Sequence, residues 1–157
     1  MANIKTNAMR NLEANKIEYT VYTYESDGDF DGCHVAQKIG KEPHQVFKTL
    51  VTVSLSKKYY VFVIPVAEHL DLKKAAKAVG EKSIEMIRQD ELLPLTGYIH
   101  GGCSPVGMKK LFKTVVDAEA ETLETFVVSS GKIGCFMELS PKDLQKLIGS
   151  EFVSVLA

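Results

Sequence analysis

Between Gly101 and Gly107 the chain reads GGCSPVG, and no other stretch restricts the fold as much. Three glycines and a proline within seven residues cannot form a regular helix or a central strand. Glycine loses too much backbone entropy there, and proline has no N–H to donate. The segment is therefore a shaped loop. Such a loop lets a ligand approach the backbone and can aim free N–H groups at an oxyanion or carbonyl, as acyl transfer requires. A tight turn between strands is the plainer account of the same residues, and the flanking sequence has to separate the two.

The chain has 157 residues, 45% hydrophobic and 25% charged, and reads as one soluble globular domain over 1–157. It contains no run of about 18 apolar residues and no basic-then-apolar leader, so neither a membrane partner nor secretion is expected. Cys33, Cys103 and Cys135 are an odd number in a chain that is not cysteine-dense, which argues against a disulfide framework and for a cytoplasmic setting. A net charge of −1 excludes a strongly basic nucleic-acid binder, although a local basic face stays open.

Taken in order, Lys5 to Asn15 places Ala8, Met9 and Leu12 on one helical face, with Thr6 or Asn7 as cap. Glu18 to Tyr24 alternates as a strand, and an acidic loop, ESDGDFDG, follows over 25–32. Phe30 in that loop either tucks into the core or lids a pocket. A short helix over His34 to Gly40 and a turn at Pro43 lead to two β segments, Phe47 to Ser54 and Tyr59 to Ile64, close enough to form an antiparallel hairpin. Lys48 lies on the strand face opposite Phe47 and Val51, where a lone lysine is ordinarily solvated. Asp71 to Val79, ended by Gly80, is a capped helix. Lys82 to Ile87 is a weak strand, and a short helix from Gln89 stops at Pro94. Beyond the glycine loop come Lys109, Lys110 and Lys113, placed for a polyanion. A strand at Thr114 to Val116 and a helical turn from Asp117 precede a second hairpin, Thr125 to Val128 and Cys135 to Leu139, turning through Ser129 to Gly134. A helix from Pro141 to Ile148 and a strand over Phe152 to Val155 close the chain. Hairpins mixed with helices indicate an α+β fold rather than strict strand–helix alternation.

The residues alone support little familiar hydrolytic chemistry. A G-x-S-x-G elbow is absent, so Ser104 is poorly supported as a nucleophile. Cysteine–histidine pairs, Cys103 with His100 or Cys33 with His34, stay open beside the commoner inert cysteine. The Cys and His spacing lacks a second tight ligand pair, and neither a metal nor a cofactor is called for.

Four segments together are specific: Val46-Phe47-Lys48-Thr49-Leu50, Leu70 to Lys77, Thr96-Gly97-Tyr98 with Gly101 to Gly107, and Val128 to Lys132. In this order and at these separations the chain closely resembles the YbaK family of aminoacyl-tRNA deacylases. Its members include Cys-tRNA(Pro) deacylases and relatives of the editing domain of prolyl-tRNA synthetases. The similarity runs from about Thr6 to Val155. It implies a mixed, largely antiparallel, barrel-like sheet surrounded by helices, and a crevice for the aminoacylated end of tRNA. It also implies that Lys48 is the residue most needed for activity, which reverses the solvated reading. Gly101, Gly102, Ser104, Pro105 and Gly107 correspond to the loop whose amides hold the aminoacyl carbonyl. Tyr24, Phe30, Thr49 and Ser129 match pocket positions.

The implied reaction is trans-editing of mischarged cysteine on tRNA(Pro), a lyase or hydrolase activity in which the substrate thiol attacks its own carbonyl. Prolyl-tRNA synthetase is the implied protein partner. Two alternatives accompany this expectation: a deacylase for alanine or another small amino acid using water, and a non-catalytic tRNA- or nucleotide-binding module. Departures from the family pattern include Ile133 in place of an arginine, Phe136 in place of a polar residue that could reshape the pocket floor, and Cys103 at an aliphatic position.

Overall fold

Helices begin in this chain where a short polar side chain can satisfy the first orphaned amides. The Thr6 hydroxyl accepts from Met9 N–H, Asp31 from Cys33 and His34, Asp71 from Lys73 and Lys74, and Ser140 from Asp143. The structure is a computed structural model describing residues 5–25, 27–29 and 31–157. Phe30 lies outside the described residues. The helices are α1 (Asn7–Ala14), α2 (Gly32–Lys38), α3 (Leu72–Ala78), α4 (Leu92–Thr96) and α5 (Pro141–Ile148). The strands are β1 (Thr20–Thr23), β2 (Phe47–Ser54), β3 (Tyr59–Pro65), β4 (Ile84–Met86), β5 (Lys113–Asp117), β6 (Phe126–Lys132), β7 (Cys135–Leu139) and β8 (Glu151–Val153).

Among the described residues these strands form two sheets rather than one. An antiparallel sheet runs β1-β7-β6, and a mixed sheet runs β4-β2-β3-β5-β8, with β3-β5 and β5-β8 parallel. A parallel bridge between Val46 and Val127 ties the sheets at one margin. The fold is thus mixed α+β with surrounding helices, and its described ladders do not close into a barrel. Strand alternation then sorts the side chains. Phe47, Val51, Val61 and Val63 meet Phe126, Val128, Met137 and Leu139 in the main core, where the Phe47 and Phe126 rings cross edge to face at 5.0 Å. The opposite face of β3, with Tyr60, Phe62 and Ile64, is covered by Ala75, Ala76 and Val79 at α3 and its C-cap. A third cluster joins Val35 and Ala36 of α2 to Val46, Val127 and Phe136.

Three local expectations are corrected. Pro94 does not stop a helix but sits inside α4, which ends at Gly97 in the left-handed region (φ 86°). The first turn of a helix needs no N–H, so proline is tolerated there. The second hairpin also turns later than expected: β6 continues through Ser129 to Lys132, with a register shift between Ser129 and Lys132. That bulge absorbs the glycine without ending the pairing. The final strand is shorter than expected, because Val155 N–H leaves the ladder for the buried Asp117 carboxylate at 3.0 Å.

Glu138 anchors the small sheet to the segment following α2. It accepts from Tyr22 at 2.7 Å, Thr125 at 2.6 Å and Lys41 at 3.1 Å. Burial pushes its carboxyl up, but those three donors together hold it below the usual carboxylate value. Among the described residues no helix is long and apolar enough to cross a membrane.

Candidate active site

The residues that β2 turns away from the main core begin the site. Because Phe47 and Val51 are committed to the core, Lys48 must point to the other side, where α2 and the chain beyond β3 leave a gap. The gap is a crevice of about 550 Å³. Lys48 and Thr49 of β2, Tyr24 after β1, Gly101 of the glycine loop, and Ser129 and Phe136 of the second hairpin all line it. Ser129 and Phe136 are direct cross-strand partners, so pairing alone puts them side by side.

Burial pushes the Lys48 ammonium below the ordinary lysine value, while Cys33, Asp31 and Glu68 nearby oppose the shift. Among the described residues its Nζ has no hydrogen bond and no ion pair. Thr49 is similar: its Oγ1 is buried without a hydrogen-bond partner among those residues. A buried hydroxyl left this way costs about 1–3 kcal/mol, a cost that a bound polar ligand offsets. The half-buried Lys48 ammonium makes this part of the wall receptive to an oxygen-rich ligand.

Gly101 enters the crevice with a left-handed backbone (φ 87°) that favours glycine. Its N–H and that of Cys103 have no hydrogen-bond partner among the described residues, whereas Gly102 N–H is spent on Ile99 O at 3.0 Å. Gly102, Ser104, Pro105 and Gly107 do not line the crevice. Gly102 is buried, and a Cβ there would stand 3.2 Å from Ile133 N. Ser104 is wholly buried, its hydroxyl accepting from Val106 N–H at 3.2 Å, and Pro105 is buried beside it. Gly107 packs beneath Tyr98 and Asn7. These four shape the loop that presents Gly101.

Tyr98 is the strut of that loop, a role the sequence reading missed. Its hydroxyl donates to Val106 O and would stand 2.8 Å from a Cβ at Gly107, while its ring would stand 2.6 Å from one at Gly131. Burial pushes its hydroxyl up to about 12, so it remains a donor. The only signal in the sequence was two glycines whose proximity requires the folded hairpin.

Each cysteine–histidine pair has one member ill-suited to nucleophilic attack. Burial pushes the Cys103 thiol up to about 12, leaving it protonated at neutral pH. His34 is turned to Asp29, with Nδ1 to Oδ2 at 2.6 Å, and that carboxylate raises its pKa. Among the described residues no three His, Cys, Asp or Glu side chains group to hold a metal. Accordingly, Cys103→Ala should retain at least about half of any crevice-dependent activity, and a thiol reagent at pH 7 should modify Cys103 more slowly than the free thiol of glutathione. Loss of activity with an intact melting curve would restore Cys103 as nucleophile.

The model of the aminoacyl-tRNA editing domain family matches residues 33–147. Over 152 residues the chain is 43% identical to EbsC of Enterococcus faecalis, a candidate Cys-tRNA(Pro)/Cys-tRNA(Cys) deacylase, covering 96% of this chain and 93% of that one. Two crystal structures share the fold. One, of a candidate trans-editing enzyme for prolyl-tRNA synthetase, gives a TM-score of 0.83 at 24% identity, covering 99% of both chains. The other, of a hypothetical protein, gives 0.88 at 21% identity, covering 96% of this chain and 99% of that one.

Proposed function

The chain belongs to the aminoacyl-tRNA editing domain family, and from that premise we propose that it is a trans-editing deacylase removing mischarged cysteine from tRNA(Pro). The observation that carries this reading is the convergence of Lys48, the unpartnered Thr49 hydroxyl and Gly101 on one crevice. The name of the 43% identical relative supports the choice of substrate.

Cleavage of an ester requires a nucleophile, and the substrate brings one. The thiol of the bound cysteine loses its proton and its sulfur bonds to the ester carbonyl carbon. The carbon–oxygen bond to the terminal ribose then breaks, releasing a four-membered thiolactone and tRNA whose hydroxyl takes up a proton. The protein supplies orientation and charge stabilisation. The amides of Gly101 and Cys103 meet the oxyanion. The Lys48 ammonium meets the developing ribose alkoxide or a neighbouring phosphate, in a crevice where partial desolvation strengthens both contacts. Thr49 takes a hydrogen bond from the α-ammonium or the ribose. Exposed Lys109 and Lys110, just beyond the loop, lie along the RNA, and selection of tRNA(Pro) falls to prolyl-tRNA synthetase as partner. The protein acts as one domain in the cytoplasm.

A substrate panel tests the reading. Cys-tRNA(Pro) should be deacylated at least about 100-fold faster than Ala-tRNA(Pro) or S-methylcysteinyl-tRNA(Pro), because only the first carries a free thiol. Equal rates on the S-methyl substrate would replace cyclisation with attack by water. RNA binding without any deacylation would reduce the protein to a binding module.

A further inference from the structure

Under the thiol mechanism, discrimination between amino acids rests on the reactivity of the side chain alone. The crevice carries a second filter. Phe136 is 8% exposed, lines the crevice, and stacks on Tyr24 with ring centroids 6.1 Å apart and an interplanar angle of 19°. Val35, Val46 and Val66 line the same crevice and belong to the same apolar cluster as Phe136. Ser129, opposite Phe136 in the ladder, accepts from Gly131 N–H at 3.1 Å, which leaves its hydroxyl proton as a polar group on this strand pair. Apart from the Tyr24 and Ser129 hydroxyls this wall offers ring faces and methyl groups, whereas the Lys48 ammonium belongs to β2 and Asp31, His69 and His100 line other parts of the crevice.

We infer that Phe136 is a specificity-determining residue whose ring, with Tyr24 and the three valines, receives the side chain of the esterified amino acid and selects a thiol or methyl group over a hydroxyl or carboxylate. A thiol is a weak hydrogen-bonding group and loses little on leaving water, whereas a serine hydroxyl or an aspartate carboxylate turned against the Phe136 ring and the valine methyls forfeits hydration that these groups do not replace. The inference rests on the deacylase reading and adds selection at binding to selection by chemistry.

Binding is separated from chemistry by hydrolysis-resistant probes, 3′-deoxyadenosines carrying cysteine, alanine, serine or aspartate through a 3′-amide. Titrated into the full chain, the cysteine and alanine probes should bind within a factor of about three of each other, and the serine probe about 10- to 100-fold more weakly. The aspartate probe should be weaker still. Phe136→Asn should bring the serine-to-alanine ratio to within about threefold, while Phe136→Leu, which keeps the wall apolar, should preserve the wild-type ratio. Equal binding of serine and alanine probes to the wild type overturns the inference whatever the variants do. So does a ratio unmoved in a folded Phe136→Asn. If deacylation of Cys-tRNA(Pro) is observed and the probes bind without preference, only the inference falls. If no probe binds and no deacylation occurs, the deacylase reading falls and takes the inference with it.

Discussion

Lys48→Ala should lower the single-turnover deacylation rate of Cys-tRNA(Pro) by about 10²- to 10³-fold, the scale on which removing one preorganised charge-stabilising group acts. The fold should not suffer. Burial depresses the folded pKa of Lys48, so folding disfavours its charged form. That penalty is fully present below the folded pKa and disappears as pH rises through the folded value to the unfolded one. Lys48→Met, which keeps the apolar stem and drops the charge, should therefore match or exceed the wild type in thermal stability at pH 7 while sharing the catalytic loss. The comparison separates a catalytic lysine from a structural one, because a structural lysine would cost stability on replacement. Deacylation by either variant within about threefold of wild type removes Lys48 from the mechanism.

The largest stability loss is expected at Gly131, far in sequence from the loop it supports. Gly131 has φ +99°, and a Cβ there would stand 2.6 Å from Tyr98 Cε1. Gly131→Ala should cost about 2–5 kcal/mol, combining the left-handed backbone penalty with overpacking against a buried ring. Denaturant unfolding reads the loss directly. Deacylation by the fraction still folded should fall as well, since a displaced Tyr98 releases Val106 O and with it the geometry of the glycine loop. The unrelated Gly80 has a positive φ of 74° but open space around its Cβ position, so Gly80→Ala should cost only the backbone share, about 1–2 kcal/mol. Equal losses at the two glycines would show that contact with Tyr98 plays no part.

Much of the fold is written in short-range chemistry. The caps at Thr6, Asp71 and Ser140, the glycine stops at Gly80 and Gly149, and the alternation of FKTLVTVS depend on residues within a turn or a strand of one another. Where local rules compete, the sequence reading slipped. By local rules Pro94 terminates a helix, yet first-turn geometry accepts it, and Gly131 belongs to the turn, yet a bulge keeps it in the strand. The division into two sheets was not legible either, since it rests on Val46 meeting Val127 across the fold.

The site shows the same division. Alternation put Lys48 opposite the core residues of its strand, but it could not say whether that side held water or a cavity. The Gly-rich composition of 101–107 demanded an irregular loop, yet only Gly101 of the expected contact residues in it faces the crevice, and the others build its shape. By itself the sequence determined where the capped helices begin, which faces are apolar, and, through four motifs in order, the resemblance to an editing family. Tertiary structure alone decided that Lys48, Gly101 and Phe136 share one crevice, that Cys103 keeps its proton, and that Tyr98 braces two glycines from separate segments. The reason is physical: capping and periodicity act over a few residues, whereas desolvation and van der Waals contact depend on distances that only the packed sheets establish.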